Sequence, residues 1–261
     1  MVEIEFRNVA KRFVPRGGGD PLTAVQGLSF TVKTGEVVSI IGPSGCGKST
    51  VLNMGSGLYL PSEGEVYVGG ERVTKPMRQV AFMLQKDLLM PWRTIRANVE
   101  LGLEIDGVAP DERRRTAEDL LERCHLKGFG DHYPYQLSGG MRQRGALART
   151  LAIDPQVLLM DEPFSALDAQ TKMVLQEDLA QTLWDQKKTA IFITHDLAEG
   201  VILSDRLLVM SSRPGTIIEE IPIDLPYRND PFKRRSLPEI GPLVGRLMAL
   251  LKVGDQREHL H

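Results

Sequence analysis

Nine consecutive residues carry the clearest chemistry in this sequence: Gly42, Pro43, Ser44, Gly45, Cys46, Gly47, Lys48, Ser49 and Thr50. Glycines at 42, 45 and 47 let backbone N–H groups turn toward one point, and a helix opening at the end of the loop adds its positive pole. Such a concavity takes an anion. Lys48 supplies a point charge for the β- and γ-phosphates of a nucleotide, and the Ser49 hydroxyl can ligate Mg²⁺. The apolar run Val37–Ile41 before the loop and the helical pattern after it form the strand–loop–helix context that a phosphate-binding loop requires.

Further candidates fall where apolar runs end. Val157–Met160 leads into Asp161, Glu162 and Pro163, and acidic groups at the carboxyl end of a parallel strand lie where ligands bind. Asp161 suits holding Mg²⁺ through water, and Glu162 suits orienting or deprotonating an attacking water. Two solvent carboxylates capping a loop would be the bland alternative, and the phosphate loop weighs against it. The run Thr189–Thr194 ends in the same way, at His195 and Asp196. Ser138, Gly139 and Gly140 open a helix and repeat the anion-binding arrangement, although alone they would spell only a helix cap. Phe13, just before the turn-rich connector Pro15–Pro21, reads equally as a face for a base or as packing at a sheet edge. Ser165–Asp168 reads as a turn into a helix.

The elements that must position these groups follow from periodicity. Residues 3–9 and 22–32 alternate as strands, and 66–70 and 79–84 are short strands, the latter leading to Gln85. From residue 86 to about 150 no β-branched run occurs, and helices are predicted at 51–60, 88–103, 110–127, 138–152 and 169–184. Strands return at 157–160, 189–194, 206–210 and 216–221. Strands alternating with helices on both sides of a helical insertion predict an α/β fold with a mostly parallel sheet. Five prolines interrupt the segment 222–261, where 242–252 could form one short helix packed on the core.

Composition narrows the class. A formal charge of −2 argues against a general nucleic-acid binder. No apolar run approaches the ~20 residues of a membrane helix, and the first six residues read as a strand rather than a signal peptide. Cys46 and Cys124 make no disulfide framework and fit a reducing cytoplasm.

Taken in order, the phosphate loop 42–50, Gln85, Leu137–Gln143, Leu158–Pro163, Ser165–Asp168 and His195 resemble the ATP-binding subunits of ABC transporters over roughly residues 2–212. The resemblance implies a P-loop NTPase core with an antiparallel β subdomain and an inserted α-helical subdomain. The core would span 1–85 and 150–221, the helical subdomain 86–149, and a C-terminal tail 222–261. It implies ATP and Mg²⁺ as cofactors, with the loop residues 42–50 cradling the phosphates and Ser49, Gln85 and Asp161 serving the metal. Glu162 matches the catalytic carboxylate, His195 the histidine that contacts the γ-phosphate, and Gln85 the glutamine that senses metal and water and leads to the membrane subunit. Phe13 matches the aromatic that stacks on adenine. Ser138, Gly139 and Gly140 match the signature that meets ATP bound to a second copy of the chain, and Asp168 joins the nucleotide-binding set. Two such copies would sandwich two ATP molecules head to tail, as an isologous C2 pairing allows.

One cassette with no fused membrane segment implies separate permease subunits, at the cytoplasmic face of the inner membrane. Leu88–Leu103 and Met210–Gly215 are similar to the nitrate, sulfonate and taurine importer group, which implies an extracytoplasmic substrate-binding protein as well. An exporter or lipid-trafficking ATPase shares every catalytic motif and stands as the alternative, with a nucleotide-dependent switch behind it. The transported solute is not written in a chain that never touches it.

Overall fold

Three five-residue strands, β3 (Val37–Ile41), β7 (Val157–Asp161) and β8 (Thr189–Ile193), are buried along their whole length. Their near-continuous apolar runs, broken in β3 by the buried Ser39, reflect a sheet covered on both faces. Val37 and Ile41 of β3 belong to one hydrophobic cluster, and Val38 and Ile40 to another; Leu158 and Met160 divide from Val157 and Leu159 in the same way. The computed structural model describes residues 1–15 and 17–258; Arg16 of the connector and 259–261 of the tail lie outside the described residues.

The central sheet has six strands in the order β10-β9-β3-β8-β7-β6, with β6 at Val80–Met83, β9 at Arg206–Met210 and β10 at Ile217–Pro222. All neighbours are parallel except β10, which runs antiparallel to β9. A second sheet, β2-β1-β4-β5, is antiparallel throughout and consists of β1 (Val2–Phe13), β2 (Leu22–Lys33), β4 (Glu63–Val68) and β5 (Glu71–Arg72). It packs with helix α1 (Lys48–Gly55) on one face of the central sheet. Helices α2 (Ile95–Ile105), α3 (Pro110–Arg123), α4 (Gly139–Ala152), α5 (Ala169–Asp185) and α6 (Leu197–Leu203) contribute to the cluster on the other face, as does α8 (Ile240–Glu258). The expected α/β class with a mostly parallel sheet is what the chain adopts.

Because five strands run parallel and in register, their carboxyl ends open on one edge. There the chain presents in turn the loop after Ile41, Gln85, Asp161 with Glu162, His195 and Arg213.

Several boundaries differ from the sequence reading. The helix expected from Leu88 begins at Ile95, where the Thr94 side chain accepts from Ala97 N at 3.2 Å. Residues 88–94 form a loop held by the buried Asn98, which accepts from Met90 N at 2.7 Å and donates to the carbonyls of Met90, Arg93 and Thr94. Pro91 also disfavours a helix through its own position. Helix α1 stops at Gly55 rather than running to residue 60; at Gly57 φ is +78°, and a Cβ there would lie 2.3 Å from Lys75 O. Helix α3 stops at Arg123. The tail holds α7 (Pro231–Arg235) as well as α8, which is longer than the stretch 242–252. Helix α6 and the two-residue β5 were not anticipated.

Candidate functional site

The phosphate loop is clamped from two sides. Gly47 has φ +105°, a left-handed conformation, and a Cβ there would stand 2.5 Å from Val25 Cγ1 on β2. From the other side Gly215, in the β9–β10 hairpin, approaches so closely that its Cβ would lie 2.0 Å from Cys46 O. Lys48 folds back over the loop and donates to Gly42 O at 2.8 Å and Pro43 O at 2.7 Å, which sets its ammonium against the loop's own carbonyls. Cys46 is buried and burial pushes its thiol pKa up, so it packs as a small apolar residue.

A pocket of about 410 Å³ opens over this loop. Its walls are Ser44, Gly45 and Gly47–Thr50, with Phe13, Leu22 and Ala24 from the antiparallel sheet and Gln85, Asp161 and Glu162 from the strand ends. Phe13 and Leu22 are paired across β1 and β2. The Phe13 ring also meets Tyr59 edge-on at 5.6 Å, so it packs at the sheet edge while lining the pocket.

Asp161 ends β7 almost fully buried, and burial holds its carboxyl pKa above the ordinary value, with a hydrogen bond from Ser49 and the Lys48 charge opposing. The Ser49 hydroxyl, the Gln85 amide oxygen and this carboxylate are hard oxygen donors. They are few enough that a Mg²⁺ ion would keep waters and phosphate oxygens as its remaining ligands. The donor set therefore fits the metal.

Glu162 sits at φ +51°, a costly conformation for a residue with a Cβ. Its backbone is held on both sides: Glu162 N donates to Ile193 O at 3.0 Å, and its carbonyl accepts from Ser165 N and Oγ and from Gln143 Nε2. The side chain is thereby aimed at the pocket. Gln85 Nε2 donates to Glu162 Oε2 at 3.1 Å, and His195 Nδ1 lies 3.4 Å from the same oxygen. Three neighbouring strands, β6, β7 and β8, thus deliver an amide, a carboxylate and an imidazole to one point. His195 lines a smaller adjoining cavity of about 100 Å³ with Glu162 and Lys172.

Ser138, Gly139, Gly140 and Asp168 are not in the pocket. Ser138 caps α4, accepting from Met141 N at 3.3 Å, and both it and Gly139 are exposed. Asp168 caps α5, accepting from Thr171 N at 3.0 Å, and that backbone hydrogen bond holds its carboxyl pKa below the ordinary value. Gly140 backs onto Ala166 and Leu167, joining the two caps into one exposed surface.

Two features were missed. Arg213 lines the pocket from the β9–β10 hairpin, and its signal was its place just beyond a strand's carboxyl end. Gln143 Nε2 also donates to Pro163 O at 3.1 Å, coupling α4 to the Asp161–Pro163 turn. The loop after Gln85 is tied to the same helix: Arg149 donates to the carbonyls of Asp87 and Leu88 at 2.8 Å each, and Arg142 Nε to Asp87 Oδ2 at 3.0 Å. Trp92 stands 72% exposed in that loop. No helix among the described residues is long and apolar enough to cross a membrane.

Residues 25–165 match the ABC transporter family model. An uncharacterized ABC transporter ATP-binding protein of Methanocaldococcus jannaschii is 44% identical over 229 residues, covering 88% of this chain and 85% of the relative. The taurine import ATP-binding protein of Yersinia pseudotuberculosis is 42% identical over 242 residues, covering 91% and 94%. Among solved structures, a dimeric ATP-binding cassette in a post-hydrolysis state bound to ADP and Pi superposes with a TM-score of 0.78. It is 33% identical and covers 84% of this chain and 98% of that one.

Proposed function

From the premise that this chain belongs to the ABC transporter family and is an ATPase of it, we propose that it drives import of a small solute, an oxyanion such as taurine, another sulfonate or nitrate. It would do so as a head-to-tail dimer bound to separate permease subunits at the cytoplasmic face of the membrane, served by an extracytoplasmic binding protein. The observation that carries the reading is the convergence of Gln85 and His195 on Glu162, which lines a pocket floored by the phosphate loop, with Ser138–Gly140 on a surface outside it. A second copy is needed to bring that surface to a nucleotide. Likeness to a taurine import protein supports the import direction and the substrate class.

In this mechanism Phe13 offers its face to adenine, and the backbone of Gly42–Gly47 with Lys48 and Thr50 holds the phosphates. Mg²⁺, held by Ser49 and Gln85 and through water by Asp161, would neutralise charge on the β- and γ-phosphate oxygens. Glu162 accepts a proton from the water that attacks the γ-phosphorus, while the bond to the β–γ bridging oxygen breaks and ADP leaves. Gln85 holds the Glu162 carboxylate and the water in line, and His195 contacts the γ-phosphate. Ser138, Gly139 and Gly140 of one copy, with Asp168 beside them, close on the nucleotide of the other. Residues 86–149 would form the helical subdomain beside the core 1–85 and 150–221.

The test compares native protein with Glu162→Gln. Hydrolysis should fall about 10²–10⁴-fold, the worth of a positioned base, an ATP-bound dimer should accumulate, and cellular uptake of one solute among taurine, alkanesulfonates, nitrate and bicarbonate should collapse. A variant that stays monomeric at saturating ATP refutes the sandwich; unchanged uptake of all four with heightened sensitivity to a toxic compound refutes import.

A further inference from the structure

We propose that Arg235, in the C-terminal tail, is a positioning residue for His195 and acts through the buried carboxamide of Gln176. Two consecutive arginines in α7 hold opposite ends of α6. Arg234 is 1% exposed and donates to Ile202 O and Ser204 O at 3.0 Å each, at the carboxyl end of that helix, and to Ile223 O and Leu225 O. It satisfies carbonyls that the helix leaves without partners. Arg235 works toward the other end. Its Nη2 donates to Gln176 Oε1 at 3.0 Å, and Gln176, wholly buried on α5, donates from Nε2 to Glu199 Oε2 at 2.9 Å. Glu199 is itself buried and shares Lys172 with Asp196, at 2.7 and 2.8 Å. Asp196 caps α6, accepting from Glu199 N at 3.1 Å, and His195 precedes it in the chain.

The polarity of this chain of bonds is what Arg235 sets. A carboxamide has a donor end and an acceptor end, and a half-turn exchanges them. Arg235 can only donate, so it holds the oxygen of Gln176 toward α7 and the NH₂ toward the Glu199 carboxylate. The flipped amide would set an oxygen against that carboxylate in a site closed to water, where an unmatched polar group is costly. Glu199 would then lean on Lys172 alone, Lys172 would draw away from Asp196, and the cap that begins α6 just after His195 would loosen. The His195 ring, 3.4 Å from Glu162, would lose its register.

The inference rests on the reading of His195 as a γ-phosphate contact, and the experiment separates the two. Arg235→Gln, Arg235→Lys, His195→Ala and the double variant Arg235→Gln/His195→Ala are compared in the full chain. ATP affinity, turnover and the imidazole resonances in the NMR spectrum are measured, the His195 signal being assigned by its loss in His195→Ala. Arg235→Gln should leave the ATP Kd unchanged, shift the His195 resonance, and lower kcat about three- to tenfold, the worth of one hydrogen bond. Arg235→Lys should recover part of that loss. In the His195→Ala background Arg235→Gln should cost nothing more. A His195 resonance unmoved by Arg235→Gln, or losses that multiply in the double variant, would overturn the positioning role. Native turnover in His195→Ala would instead overturn the assignment of His195, while the resonance still reports on Arg235.

Discussion

Gly140→Ala distinguishes a signature that serves its own chain from one that serves a partner. A Cβ at Gly140 would lie 3.2 Å from Leu167 Cδ2 and 3.4 Å from Ala166 O. The nearer atom is the end of a flexible side chain and needs to give by only a few tenths of an ångström. Gly140 is the second residue of α4, where alanine is favoured over glycine by up to about 1 kcal/mol. Within one copy the substitution should therefore leave Tm unchanged or slightly raised. Binding of ADP to the single chain should also be unchanged, since residues 138–140 are absent from the pocket walls. The methyl would press Leu167 Cδ2 outward on the surface shared by the Ser138 and Asp168 caps, and in the sandwich that surface meets the partner's nucleotide. Overpacking of a close contact costs about 1–3 kcal/mol, and C2 symmetry counts it twice, so dimerisation should weaken by about 2–6 kcal/mol, at least thirtyfold. Sedimentation in the Glu162→Gln background with saturating ATP reads this directly, and turnover in the otherwise native chain should fall in step. A Gly140→Ala protein that dimerises and hydrolyses as native refutes the sandwich. One that loses ADP binding shows instead that the signature acts in cis.

Asp161→Asn should raise the Tm of the nucleotide-free protein at pH 7, because burial makes the charged carboxylate unfavourable. That advantage should narrow as pH falls through the window between the raised native value and the ordinary 3.8, where native Asp161 takes up its proton on folding. Mg²⁺-dependent hydrolysis should be lost, and an unchanged rate would remove Asp161 from the metal site. Trp92→Ala alters a side chain 72% exposed, so stability should stay within about 0.5 kcal/mol and ATP binding should persist while uptake in cells fails; lost ATP binding would show that Trp92 supports the fold. Arg213→Ala should weaken ATP and ADP about equally, by roughly ten- to a hundredfold, as expected for loss of a charged hydrogen bond. Unchanged affinity for both would place the guanidinium outside the bound nucleotide's reach.

The strand ends were legible because the sheet is covered on both faces, which makes β3, β7 and β8 mostly apolar runs with polar residues at or just beyond their carboxyl ends. The phosphate loop was legible because its glycines answer a local backbone demand, as at Gly47. What stayed hidden depends on groups far apart in the chain. The start of α2 at Ile95 rests on Asn98 satisfying loop carbonyls from a buried position, which periodicity does not record. Arg213 reaches the pocket because Gly215 packs against Cys46, some 170 residues earlier. In the tail, Arg234 is buried and Arg235 bonds a buried amide, pairings that the local sequence does not record. Helix α6, only seven residues long, offers too little periodicity to stand out.

Helix α4 has a consequence for timing. Over its 14 residues, about 21 Å, it begins at the Ser138 cap, grips the turn carrying Glu162 through Gln143, and holds the loop bearing Trp92 through Arg142 and Arg149. A rigid rod with three attachments cannot pass a displacement to one and withhold it from the others. A push at the exposed loop would arrive at the Glu162 turn and at the Ser138 surface in the same stroke. On the proposed reading, the half-engaged state, in which fuel is spent before a membrane partner has moved, would be mechanically awkward with no separate latch to forbid it.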